Sequence, residues 1–277
     1  MQRSFTRSAF IVLGFALLGC QSPSPEYSPF ELKLEKYAGE LKVIRLQKDG
    51  EVYSFLYDTG GGYTVLDAAY TNTFGCTPYG KTVGFRLSGE QVVSRNCNPV
   101  TLDFGGFSVT TAPKVMDINS FLPEGLPKLA GAFSLQTFQS QLVTIDYSGG
   151  LVIIETPDSF HARTLDMTEI PLKVTNELDG EAVSIFTQVL ETPEPLWFYM
   201  DSGNLRGVLV APHAAKLLGL EGEGPLTLEI AGLAYDSTGE VTDMIYDGVL
   251  DIRFFKAHTI ALDLQNSTAW VKPNSSE

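Results

Sequence analysis

Histidine is scarce in this chain. The three present, His161, His213 and His258, are scattered, with no metal-ligand spacing and no His-Glu-x-x-His pattern. A hydrolytic zinc centre therefore has no ligand set, no cofactor is expected, and the histidines are read as surface residues. No Gly-x-Ser-x-Gly elbow occurs, and the few cysteines have no evident base nearby in sequence, which speaks against a serine or cysteine nucleophile. Gly60-Gly61-Gly62 does not match a phosphate loop. Positive charge is short too: 19 Lys and Arg stand against 33 Asp and Glu, a formal net charge of -14. So acidic a surface argues against nucleic acid or anionic headgroups as partners, and gives only a weak bias toward cationic peptides. No apolar run reaches bilayer-spanning length.

What is there begins with Arg3, Arg7 and a short apolar run from Ala9 to Leu18, the architecture of a secretory signal over residues 1–19. The run ends in Leu17-Leu18-Gly19-Cys20, which resembles the bacterial lipoprotein cleavage box. The resemblance implies that Cys20 is lipidated and anchors the chain to a lipid bilayer. Gln21 after it implies the outer membrane, facing the periplasm. A plain signal peptide with an incidental cysteine is the alternative. Gln21 to Pro29 is rich in Ser and Pro and reads as an extended tether.

Two later stretches read almost alike, Leu56-Tyr57-Asp58-Thr59-Gly60 and Tyr199-Met200-Asp201-Ser202-Gly203. In each, an apolar run of strand character delivers a carboxylate to a tight turn. The hydroxyl that follows can bond locally to backbone, and the glycine lets the chain pass close to the carboxylate. A repeat surrounds the pair. Leu129 to Ile154 falls without gaps on Tyr246 to Val271 at an offset of 117, while Val65-Leu66 falls on Val208-Leu209 at an offset of 143. The chain therefore holds two copies of one unit, each contributing one aspartate, and the first carries 26 extra residues (143 minus 117).

With these turns, and with Gly131-Ala132-Phe133-Ser134-Leu135 and Gly248-Val249-Leu250-Asp251-Ile252 downstream of them, the sequence resembles the aspartic peptidases in their two-lobed, single-chain form. The resemblance implies an all-β, pepsin-like fold made of two retropepsin-like halves with a few short helices: residues 31–160 form the first lobe and 161–277 the second. It implies Asp58 and Asp201 as a catalytic dyad, Thr59, Gly60, Ser202 and Gly203 as turn support, a peptide or protein substrate, and a monomer. The chain departs from the family pattern where Ser134 and Asp251 replace glycines, and where Gly61 and Asn204 stand for a hydroxyl residue. Asp251 so near the dyad should either raise its shared pKa, pair with Arg253 or Lys256, or turn outward into solvent.

Cys76 and Cys97 flank a hairpin signal centred on Ser88-Gly89. The family has a flap over its cleft in the first lobe only. Residues 80–96 are accordingly read as that flap, with Phe85, Leu87, Ser88 and Gly89 at its end, the extra residues in this region, and a Cys76–Cys97 disulfide at its base. An ordinary surface hairpin is the plainer reading. Other expectations are hairpins about Lys48-Asp49-Gly50 and Pro193-Glu194-Pro195, a helix from Ala211 to Leu218 with a weaker counterpart from Leu66 to Phe74, and a polar boundary near Thr156 to Thr168. Trp197 and Trp270 are assigned to the core.

Two carboxylates within hydrogen-bonding reach cannot both ionise cheaply, so such a pair keeps one proton and suits amide hydrolysis. The second reading is a non-catalytic lipoprotein that binds extended peptides or envelope partners in the same cleft.

Overall fold

The computed structural model describes residues 28–189 and 195–274. Cys20, its signal and most of its tether lie outside the described residues, as do Pro193 and Glu194 of the second expected hairpin turn.

The fold is all-β, two-lobed and pepsin-like, with a few short helices. Strands Lys42–Lys48 and Glu51–Tyr57 form a hairpin whose two turn residues, Asp49 and Gly50, both take positive φ, the conformation that matches the twist of the flanking strands. Ile44, Leu46, Phe55 and Tyr57 point from it into the first core. The end of Glu51–Tyr57 is held from the side by Gly131–Phe133, parallel to it, with Phe133 opposite Tyr57. Leu196–Met200 and Gly248–Leu250 repeat that parallel pair in the second lobe. Every residue of Gly248–Leu250 is buried, so the second aspartate turn rests on a packed floor; in the first lobe Gly131 and Phe133 are buried and Ala132 is partly so.

The lobes join through one antiparallel sheet. Its strands run in the order Phe30–Lys36, Leu151–Glu155, Leu142–Asp146, His258–Asp263, Thr268–Pro273 and Thr168–Glu177. At its centre Thr144 pairs with Ala261, and Val143 and Ile145 pair with Leu262 and Ile260. The repeat offset of 117 makes Thr144 and Ala261 equivalent residues. The two-fold relation between the copies therefore passes between them, and the duplication folds face to face. Val143, Ile145, Ile260 and Leu262 are fully buried, so a register slip would turn an apolar set outward.

Several local expectations need correction. The polar stretch expected as a simple boundary contains the helix Pro157–Thr164, begun by Pro157 and a reciprocal Thr156–Ser159 capping box. Pro212–Leu218 is helical and ends on Gly219 at φ 67°, but its first-lobe counterpart shrinks to the single turn Ala68–Tyr70, capped by Asp67. The extra residues of the first copy do not build the flap. Both lobes carry a hairpin at this point, Pro78–Phe85 with Gln91–Cys97 and Glu223–Ile230 with Leu233–Val241. The first lobe adds a second hairpin downstream, Val100–Asp103 with Ser108–Thr111, and a segment leading to Gly131. The two equivalent hairpins differ in burial. The second-lobe one sends Leu226, Leu228, Ile230 and Tyr235 into the core, whereas Tyr79, Val83, Phe85 and Val93 of the first remain exposed.

Candidate active site

Asp58 and Asp201 meet between the lobes, where a Cβ on Gly203 would lie 2.7 Å from Asp58 Oδ1 and 3.1 Å from Asp201 Oδ1. Each is held by its own turn: Gly60 N–H donates to Asp58 Oδ1 at 2.9 Å and Gly203 N–H to Asp201 Oδ1 at 2.7 Å. The glycines are required by the opposite lobe. A Cβ on Gly60 would overlap the Asp201 carboxyl, and one on Gly203 would lie 2.7 Å from Asp58 Oδ1. The expected close passage of backbone and carboxylate thus occurs across the interface.

The hydroxyls also act across the interface, which corrects the reading of them as local turn bonds. Thr59 Oγ1 accepts from Ser202 N–H at 2.9 Å and donates to the Met200 carbonyl at 2.8 Å, and Thr59 N–H donates to Ser202 Oγ at 3.0 Å. Both side chains are fully buried. Each turn satisfies the other's backbone, which fixes the separation of the two carboxyls more tightly than two local turns could.

Burial raises both carboxyls above the ordinary Asp range, and the neighbouring Asp58 charge pushes Asp201 further up. The Gly60 and Gly203 N–H bonds pull the other way without cancelling the rise. Neither turn adds a side-chain donor. Gly61 has none, and the Asn204 amide donates to Gly207 O while its oxygen accepts from Arg206 N–H. Two acids this close and this shielded from water favour one shared proton over two charges.

The two replaced glycines are accommodated differently. Ser134 lies under the first turn, its hydroxyl donating to Gly62 O at 3.3 Å and accepting from Gln136 N–H at 3.2 Å. Its Cβ would be 3.6 Å from a Cβ on Gly61, an ordinary contact. Asp251 is fully buried, contrary to the outward option. It accepts from Tyr235 Oη and from Arg253 Nε, both at 2.5 Å. Arg253 was an expected partner and Tyr235 was not. The dyad's rise draws on burial and its own charges, with no contribution from Asp251.

The hairpin of residues 80–96 stands over the junction. Cys76 and Cys97 form a disulfide at its base. A second tie at the base was not anticipated: Lys114, only 1% exposed, donates to Asn96 Oδ1 on the hairpin's return strand and pairs with Glu181 of the second lobe. At the tip Leu87 accepts from Ile245 N–H at 3.1 Å and packs against the Phe186, Tyr199, Leu209 and Val249 cluster. Ser88 and Gly89 lie in the turn beside it, and Phe85 is 65% exposed, facing away. Tyr63, five residues after Asp58, lies against Gly84 on the hairpin. Nothing in the local sequence around Lys114, Tyr63 or Ile245 marks these roles.

Among the described residues no cluster of three or more His, Cys, Asp or Glu could hold a metal ion. His258 is buried against Phe254 and Tyr235, contrary to a surface placement, and burial lowers its pKa. Trp270 packs edge-on against Phe160. Trp197 is only half-buried, with the Lys173 ammonium 4.7 Å above its ring.

No family model and no curated protein matches the chain. Among solved structures it is similar to an aspartic proteinase from Irpex lacteus, with a TM-score of 0.58 and 12% identity over 90% of this chain and 98% of that one. It is also similar to basic 7S globulin from soybean, TM-score 0.56 and 13% identity over 90% and 95%. Conglutin gamma, a basic 7S globulin from lupine seeds, gives a TM-score of 0.55 at 10% identity over the same shares. At these identities the likeness is one of fold alone, and that fold carries both a proteinase and globulins.

Proposed function

We propose that the protein is an aspartic endopeptidase in which Asp58 and Asp201 activate a water molecule. The observation that carries the reading is that the two carboxyls face one another, an oxygen of each within 3.1 Å of the point a Cβ on Gly203 would occupy, with the two turns braced by hydrogen bonds across the lobes. The ionised member takes a proton from water as its oxygen adds to the peptide carbonyl carbon, and the neutral member donates its proton to the carbonyl oxygen. In the collapse of the resulting diol, a hydroxyl proton returns to the ionised carboxylate. The other carboxyl protonates the amide nitrogen, and the C–N bond breaks. The pair ends with one proton, as it began, and needs neither metal nor covalent intermediate. The chain's own export signal and Cys20 support placing this activity at the cell envelope, on a lipid anchor at the outer membrane, acting as a monomer on peptide or protein.

The test is incubation of the purified protein with a denatured protein substrate across the acid to neutral range, beside Asp58→Asn and Asp201→Asn. Cleavage lost in both variants, and blocked by a statine-type mimic but not by chelators, supports the reading. Equal cleavage by either variant removes that aspartate from the dyad. The alternative is peptide binding in the same cleft without cleavage. It predicts saturable binding of extended peptides that neither variant alters.

A further inference from the structure

Lys114 is a cation almost without access to water, 1% exposed. Its ammonium donates to Asn96 Oδ1 at 2.8 Å and pairs with Glu181 of the second lobe. The pair is lopsided, because the Glu181 side chain is 40% exposed. The lysine depends on the glutamate, whereas the glutamate has water as a substitute. Neither takes part in the proposed hydrolysis. A buried charge is costly to keep, so this one is expected to hold something in place.

The two copies differ in how they hold the loop that follows each aspartate. In the second lobe Ile252 N–H donates to Asn204 O at 3.0 Å, which ties that loop to its own floor. By the repeat offsets Ile252 corresponds to Leu135 and Asn204 to Gly61, and among the described residues no backbone bond joins that pair. The first loop is held from the other lobe instead. Gly62 O accepts from Val183 N–H at 2.8 Å, with a longer bond of 3.3 Å from Ser134 Oγ beneath.

Val183 stands two residues after Glu181, just past a turn in which Leu178 and Asp179 both take positive φ. Such torsions in non-glycine residues persist where the surroundings hold them. Lys114 completes the connection on the first-lobe side, because its own N–H donates to Thr64 O at 2.8 Å, two residues beyond Gly62. One residue thus grips both the loop and the segment that braces it.

We propose that Lys114 is a positioning residue for Asp58: through Glu181 it seats the segment 178–183 so that Val183 holds Gly62 O, which fixes the loop that Asp58 opens. The brace stands on these contacts; its effect on catalysis rests on the peptidase reading. Lys114→Met separates positioning from a merely structural role. It replaces the buried ammonium by an apolar side chain and releases Glu181 to water, an exchange that is often neutral for stability. The fold should survive while the brace is lost, so kcat falls by roughly ten- to a hundredfold with KM nearly unchanged. A merely structural lysine would lower stability and leave the kcat of the folded protein as it was.

Amide hydrogen exchange at Val183 is measured in the full chain, in Lys114→Met, in Glu181→Ala and in the double variant, together with denaturant midpoints. The brace predicts a protected Val183 amide in the native protein and exchange faster by roughly tenfold in each single variant. The double variant should exchange no faster than Lys114→Met, since both replacements cut one connection. Unchanged protection in Lys114→Met, or single effects that add in the double variant, overturns the brace. Should Lys114→Met fail to fold, Glu181→Ala carries the same expectations for exchange and kcat. With a peptide that the protein cleaves, a kcat kept at the native value in the folded variants overturns the positioning role. Absence of cleavage by the native protein removes the peptidase reading and the catalytic effect with it, while Val183 exchange still decides the brace.

Discussion

Gly60 and Asp201, 141 residues apart in the chain (201 minus 60), lie so close that no side chain atom fits between them. The same holds in mirror form for Gly203 and Asp58, where a Cβ would come 2.7 Å from the carboxyl oxygen. Each glycine is thus selected by the partner lobe's acid. Gly60→Ala must push the Asp201 carboxyl out of register with Asp58, and a displacement of that kind at reacting groups costs about a hundredfold in rate. Gly61→Ala is the control, since its Cβ meets nothing nearer than 3.3 Å. Measured kcat/KM should collapse in the first and change far less in the second.

The pH dependence follows from the raised carboxyls. Peptide cleavage needs one proton on the pair, so activity should extend well above the ordinary carboxylate range and fall only as the second proton leaves. Stability carries the opposite sign from a salt-bridged Asp. Raised folded pKa values mean that the native state binds more protons than the unfolded chain, so stability is lost as pH rises from the unfolded value of 3.8 through the folded ones. Asp201→Asn removes that cost. It should be more stable than the native protein at neutral pH and no more stable at about pH 3, where the carboxyls are protonated in both states. Denaturant midpoints at the two pH values check this.

Thr59 and Ser202 hold the two turns together. Thr59→Val keeps the shape and removes a donor and an acceptor from a fully buried site, leaving Ser202 N–H and Met200 O without their partner. A loss of about 2–6 kcal/mol is expected, from two buried groups left unsatisfied at about 1–3 each. Thr59→Ser retains the bonds and should lose far less. Equal destabilisation by both would mean that packing, not the cross-lobe bonds, is what Thr59 supplies.

Asp251 tests whether a third acid belongs to the chemistry. Its partners are Tyr235 and Arg253; Asp251→Ala strands the buried Tyr235 hydroxyl while the half-exposed Arg253 turns to water, and should cost about 1–3 kcal/mol. Activity of the fraction that remains folded should keep the native pH profile. A profile moved by this variant would place Asp251 in electrical contact with the dyad.

The meeting of Asp58 and Asp201 was legible in sequence because its signal is local and doubled. Two Asp-hydroxyl-Gly triplets in a repeat mark both acids, whereas the pairing of the equivalent residues Thr144 and Ala261 came only with the structure. The direction of the hydroxyl bonds was not legible, because a residue type that caps its own turn satisfies a distant one equally well. The flap's place was readable from Ser88-Gly89 and the two cysteines, yet the extra residues were assigned to it wrongly, since the equivalent second-lobe hairpin differs in which face is buried rather than in having a turn. The helix Pro157–Thr164 hid in a polar stretch whose only buried residue is Phe160. Lys114 and Ile245 carry no periodic or motif signal at all. Their partners come from other parts of the chain, and only the folded topology brings them together.

The central claim is that Asp58 and Asp201 share one proton, and carboxyl carbon chemical shifts of aspartate-labelled protein followed through a pH titration test it without any substrate. The account predicts two well-separated steps belonging to the pair, the upper far above the ordinary range, and a single step for Asp201 in the Asp58→Asn variant. Two independent titrations near the ordinary aspartate value, unchanged when either partner is replaced, would contradict it.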